Sequence, residues 1–109
     1  MRFFGLKTCD TCRRALKDLR AAGIEPEVVD VRADGLEEGA IAAMLKALGL
    51  GVINHASTTW RGLGEEERGL PPEELLARHP TLLKRPVIEE GGSWTMGWKD
   101  DVRARYLGE

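Results

Sequence analysis

The spacing of apolar positions changes along the chain and marks out alternating elements. Arg2 to Leu6 is a short, largely apolar stretch that predicts a first strand. Lys7-Thr8-Cys9-Asp10 is polar and reads as a turn. From Thr11 to Ala22 the apolar residues Ala15, Leu16, Leu19 and Ala22 recur at helical spacing, with Thr8 or Asp10 available to cap the start and Gly23 to end it. Ile24 to Asp30 predicts a second strand, β-branched at Val28, Val29 and the following Val31. Strand, helix and strand in so short a stretch make a βαβ unit, whose right-handed crossover places the two strands parallel.

The second half reads differently. After a polar turn over Arg32 to Leu36, Ile41, Leu45 and Leu48 predict a second helix, closed by Gly49 and Gly51. Val52 to Gly69 has weak periodicity and predicts a helical turn, a loop over Thr58-Thr59-Trp60-Arg61 and an acidic segment at Glu65 to Glu67. Pro71-Pro72 opens a third helix, Glu73 to His79, with proline favoured in the first turn. Val87 to Glu90 and Ser93 to Met96 are strands joined by Gly91-Gly92, a hairpin signal, and Trp98 to Leu107 is a last helix with Val102 and Tyr106 on one face. The expected architecture is α/β: one domain over residues 1–109, with a helical insertion at about 36–80 between a βαβ half and a ββα half.

Composition narrows the class. A chain of 109 residues, 42% hydrophobic and 31% charged, has room for one folded core. No apolar run approaches bilayer-spanning length, and the first residues lack the apolar core and cleavage site of a secretory signal, so the cytoplasm is the expected compartment and no membrane partner is expected. A net charge of -2 argues against direct nucleic-acid binding, yet 16 Lys and Arg among 18 Asp and Glu leave room for a local cationic pocket. Nothing in the sequence requires a dimer, and a monomer is expected.

The two cysteines, Cys9 and Cys12, form a C-x-x-C at the predicted strand-to-helix junction. The loop they would close is too short to remove much unfolded-state entropy, so they make a poor structural staple. A sulfur at a helix N-terminus meets unpaired N–H groups and the positive end of the macrodipole, which favour a thiolate, and Lys7 stands two residues upstream. Cys12 lies one turn on, where it can resolve a mixed disulfide formed on Cys9. Two alternatives remain open at this level. Both thiols could be inert core residues, or half of a zinc site. Zinc would need two further ligands, and the only histidines, His55 and His79, lack finger or ribbon spacing, so no metal is expected. Both histidines read better as turn and surface residues, and Glu65 to Glu67 as a solvated face.

Two further blocks carry candidate chemistry. In Leu82 to Ile88, Pro86 precedes a buried-looking strand, and spacing does not choose between a cis and a trans Arg85-Pro86 bond. Arg85 is either a surface charge or a group suited to an oxyanion or carboxylate. In Asn54 to Arg61, hydroxyls beside Trp60 and Arg61 suit an anionic or peptide-like ligand, and equally suit a capped turn around a packed Trp60.

Taken in order, Gly5-Leu6-Lys7-Thr8-Cys9-Asp10-Thr11-Cys12-Arg13-Arg14-Ala15, then Thr58-Thr59-Trp60-Arg61, then His79-Pro80 with Leu82 to Ile88, then Gly97, resemble the arsenate reductase-related (ArsC/Spx/YffB-like) family of thioredoxin-fold proteins. The resemblance implies a thioredoxin-like fold with a four-stranded mixed sheet flanked by helices. It implies Cys9 as nucleophile, Arg85 near the thiolate binding an oxyanion or a glutathione carboxylate, and Pro86 in cis facing the cysteine. Lys7 matches a basic position beside the cysteine, and Thr59 and Arg61 fall in a family segment expected to help bind substrate. Arsenate reductases of this family carry further arginines that align near Asn54 and Trp98, and neither is Arg here. The resemblance therefore implies a thiol-disulfide reductase with no bound cofactor, acting on a small thiol or disulfide and drawing on glutathione or thioredoxin. An Spx-type redox regulator that binds the RNA polymerase α subunit, and an arsenate reductase proper, are the alternative readings.

Overall fold

The computed structural model describes residues 1–108, which form two compact units, one built from residues 1–30 and 85–108 and the other from residues 31–84. In the first, strands β1 (Arg2–Gly5), β2 (Glu27–Asp30), β3 (Val87–Glu90) and β4 (Ser93–Met96) form a mixed sheet in the order β2-β1-β3-β4. β1 and β2 are parallel, as the βαβ reading requires, and β3 is antiparallel to both of its neighbours, β1 and β4. Gly91 and Gly92 both have positive φ, 56° and 83°, the backbone a two-residue hairpin demands.

Helix α1 (Asp10–Ala21) buries Cys12, Ala15 and Leu19, one residue per turn, against Phe3 and Ile88, which face each other across β1 and β3. Trp98 and Val102 complete this core; Val102 belongs to the final helix, Asp100–Leu107. The Trp98 indole N–H donates to Asp18 Oδ2 of α1 at 2.9 Å, and Arg103 Nε donates to the same oxygen at 3.1 Å. The Thr95 and Tyr106 hydroxyls bond at 2.8 Å. Thr95→Val keeps the shape and removes this bond, so its expected cost is about 1 kcal/mol in urea denaturation.

Two boundaries differ from the sequence reading by more than one residue, and one cap differs. The second strand begins at Glu27, because Gly23 turns the chain at φ 82° and Pro26 has no N–H to give to a ladder. The last helix begins at Asp100, since Gly97 at φ 80° and the pinned Trp98 hold the approach in a turn. Neither Thr8 nor Asp10 caps α1: the N-cap residue is Cys9, with an extended backbone.

The unit of residues 31–84 is helical: α2 (Glu38–Leu48), α3 (Thr58–Arg61), α4 (Glu65–Arg68) and α5 (Pro72–Arg78), with short 3-10 turns at Gly49–Val52 and Pro80–Leu82. The last helix of the first unit is accordingly α6. Buried Ile41 and Met44 of α2 and Leu75 and Leu76 of α5 line the facing sides of the two principal helices. The stretch Thr58–Arg61, expected as a loop, is a helical turn. Asn54 Oδ1 accepts from the Ala56 N–H at 3.0 Å, and Ser57 Oγ accepts from the Trp60 N–H at 3.2 Å, so two consecutive side-chain caps wind the segment.

Candidate active site

Cys9 sits where β1 hands over to α1. Its N–H donates to the Leu6 carbonyl at 3.2 Å and its carbonyl accepts the first helical bond, from Arg13 N at 3.0 Å. The loop before it is held from the helix side. Arg13 Nε donates to the Lys7 carbonyl at 2.9 Å and its Nη2 to the Thr8 carbonyl at 3.3 Å. Arg13 was not singled out from the sequence; its signal is its place one turn into the helix, where a long cationic side chain can reach back to loop carbonyls.

The two thiols share a junction and differ in environment. Cys9 is half-buried and Cys12 fully buried, and both are free. Burial acts to raise the Cys9 thiol, but this is outweighed. The Cys12 N–H and S–H face its sulfur, and the Arg85 guanidinium adds a hydrogen bond and positive charge, so the thiol lies below its ordinary value. The Cys9 side chain makes no capping hydrogen bond, yet the Cys12 N–H lies close enough to stabilise charge on its sulfur. The Cys12 thiol is pushed up to about 12, first by burial and then by the hydrogen bond and negative charge of Cys9, against a lowering bond to the Leu6 backbone.

The Arg85-Pro86 bond is cis. Pro86 is buried at the entry to β3, and its carbonyl accepts from the Gly97 N–H at 2.8 Å. The structure thus brings Cys9, Cys12 and Arg85 together, with Pro86 adjoining Arg85. Lys7 is exposed on the loop that Arg13 clamps, and the cation acting on the Cys9 thiol is Arg85.

Thr59 and Arg61 lie on α3 in the other unit. Thr59 Oγ1 bonds Thr81 Oγ1 at 2.9 Å, while Arg61 is exposed and its carbonyl accepts from Arg68. Trp60 is bracketed by His55, edge-on at 4.5 Å, and by Arg68, 5.5 Å above the ring. His79 is half-buried rather than a plain surface residue, its Nε2 2.8 Å from Glu67 Oε2. Glu67 is therefore only partly a solvated carboxylate, and the His79 bond, followed by Arg78, holds it below the usual range. Among the described residues no cluster of His, Cys, Asp and Glu could hold a metal ion.

The model of the ArsC family matches residues 4–105. The chain belongs to the ArsC family. Membership carries thiol-based oxidoreductase chemistry and, with the observed sheet order, a thioredoxin-like fold. An uncharacterised protein of Haemophilus influenzae is 36% identical over 102 residues, 89% of this chain and 90% of its own. A protein of Rhizobium meliloti named arsenate reductase is 36% identical over 86 residues, covering 73% of this chain and 61% of its own length. Among solved structures, the YffB protein aligns at TM-score 0.89 with 31% identity over 97% of both chains.

Proposed function

We propose that this ArsC-family chain is a cytoplasmic thiol-disulfide reductase. The observation that carries the reading is the asymmetry of the thiols: a half-buried sulfur, lowered by the Cys12 N–H and S–H and then by Arg85, stands beside a buried one held protonated. Cys9 thiolate attacks one sulfur of a disulfide. A Cys9 mixed disulfide forms and the other half leaves as thiolate. Cys12, giving up its proton, attacks the Cys9 sulfur and releases the second half, so the pair ends as a Cys9–Cys12 disulfide and two electrons have passed to the substrate. Two thiols of glutathione, or the dithiol of a thioredoxin, return those electrons. Arg85 stabilises the attacking thiolate and orients an anionic group of the substrate, with Pro86 as the adjoining wall. Lys7 adds charge at the rim. Thr59 and Arg61 are assigned to substrate binding from the sequence resemblance alone.

A dithiol reductase fits these residues better than arsenate reduction. Trp98, near which relatives carry an arginine, commits its only donor to Asp18, and Asn54 spends its carboxamide oxygen on a turn. The test is the rate of iodoacetamide alkylation against pH, resolved by peptide mass. Because its thiol is lowered, Cys9 should reach half its plateau rate below about pH 8.5, the value of an ordinary thiol, whereas Cys12 should stay unlabelled throughout the neutral range. A Cys9 midpoint at or above about 8.5, that of an ordinary thiol, would remove the main support for the proposal.

A further inference from the structure

The exposed side of α1 begins at the reactive cysteine, and its charges do not cancel. Arg13, Arg14, Lys17 and Arg20 are all exposed on this helix, and Lys7 is exposed on the loop before it. Asp10 stands 3.8 Å from Arg13, and Glu25 lies 3.0 Å from Arg20. Asp18 is turned to Trp98 and Arg103, with only long-range attraction from Arg14. Among the described residues Lys7, Arg14 and Lys17 form no ion pair with a carboxylate. Arg14 and Lys17 are neighbours one turn apart, and Lys17 lies roughly 12 Å along the axis from Cys9 at 1.5 Å per residue.

That distance exceeds the Debye length at physiological salt, about 8 Å, so Lys17 is felt by charges of a bound segment that lie along the helix and not by the sulfur itself. An extended polypeptide covers the distance with about four residues at roughly 3.3 Å each. We infer that this face of α1 docks acidic polypeptide segments whose disulfide is presented to Cys9. The inference rests on the thiol-reductase reading and specifies its substrate class. Charge complementarity carries it. The chain as a whole is net negative, so the cationic strip is a local feature beside the thiol and not part of a general polyanion surface. Three cations without an aromatic among them make a poor nucleic-acid footprint.

The test is single-turnover exchange between the reduced protein and peptides whose one cysteine is disulfide-bonded to 2-mercaptoethanol, flanked by three Glu, three Gln or three Lys. Cys9 takes the peptide sulfur or the mercaptoethanol sulfur, and the other half leaves as thiolate. Each rate is divided by that peptide's rate with free 2-mercaptoethanol. At low salt the Glu-flanked peptide should react about tenfold faster than the Gln-flanked one, and the Lys-flanked one slower, with the ratios falling to within about twofold at high salt. Arg14→Glu combined with Lys17→Glu should bring the Glu-to-Gln ratio to about one, whereas Lys46→Glu, on α2, should leave it as in the wild type. A wild-type ratio near one, a ratio unmoved by the double variant, or suppression of the Gln-flanked rate by a single-stranded oligonucleotide would overturn the assignment. Failure to attack even the Gln-flanked peptide would instead overturn the thiol-reductase reading, and this one with it.

Discussion

Cys9→Ser should lower disulfide reduction by at least about a thousandfold, because a serine hydroxyl does not ionise near neutral pH and forms no disulfide. Cys12→Ser should behave differently. The first attack survives, the second thiol is missing, and the protein accumulates as a mixed disulfide on Cys9, visible as a mass increase equal to the bound half of the substrate. The environments explain the division of labour. The Cys12 thiol is pushed up to about 12, first by burial and then by the hydrogen bond and charge of the Cys9 thiolate. Once Cys9 is tied into a mixed disulfide that charge is gone and only burial still raises Cys12. In the proposed scheme Cys12 therefore becomes easier to ionise at the step that needs it, and is held back before that. Stopped-flow thiol release with intact-mass readout checks both variants. An unmodified Cys12→Ser protein after exposure to a small disulfide would count against the scheme.

The site was largely legible in the sequence because its members are local. Cys9, Cys12 and the helix N-terminus lie within one turn, and spacing alone reports that. Arg85 is more than seventy residues away. Only the resemblance placed it by the thiolate, and the sheet explains why it arrives there: β3 runs antiparallel to β1, so the residue before β3 meets the end of β1 where the cysteine loop starts. The unread features are partnerships between distant residues. Nothing in Asp18 announces Trp98 eighty positions on, and nothing in an acidic run announces that Glu67 will hold His79. Thr58–Arg61 failed as a loop for a local reason. Its four residues are too few for periodicity, and the caps at Asn54 and Ser57 are side chains equally at home in turns.

The same local geometry leads to the second large effect, at Gly5. This residue ends β1 under the N-terminal turn of α1, and it is buried. Its φ is not positive, so backbone freedom is not what selects glycine here. Space is. A Cβ at this position would lie 2.9 Å from Cys12 Sγ and 2.8 Å from Phe3 Cε1. Both neighbours are themselves fixed: Cys12 is 1% exposed and Phe3 0%, packed with Ala15, Leu19 and Ile88. Neither contact can be relieved by a side chain swinging into solvent, so the strand and the helix must part. Gly5→Val adds two further carbons and should cost about 3 kcal/mol, the upper part of the range for overpacked cores, despite valine's preference for strands. Urea denaturation followed by circular dichroism measures this. The displaced atom is Cys12 Sγ, the resolving sulfur of the proposed scheme, so residual folded protein should also resolve Cys9 mixed disulfides more slowly. Wild-type stability in Gly5→Val would mean that α1 can shift away from β1 without loss, and the packing described for Cys12 would then be wrong.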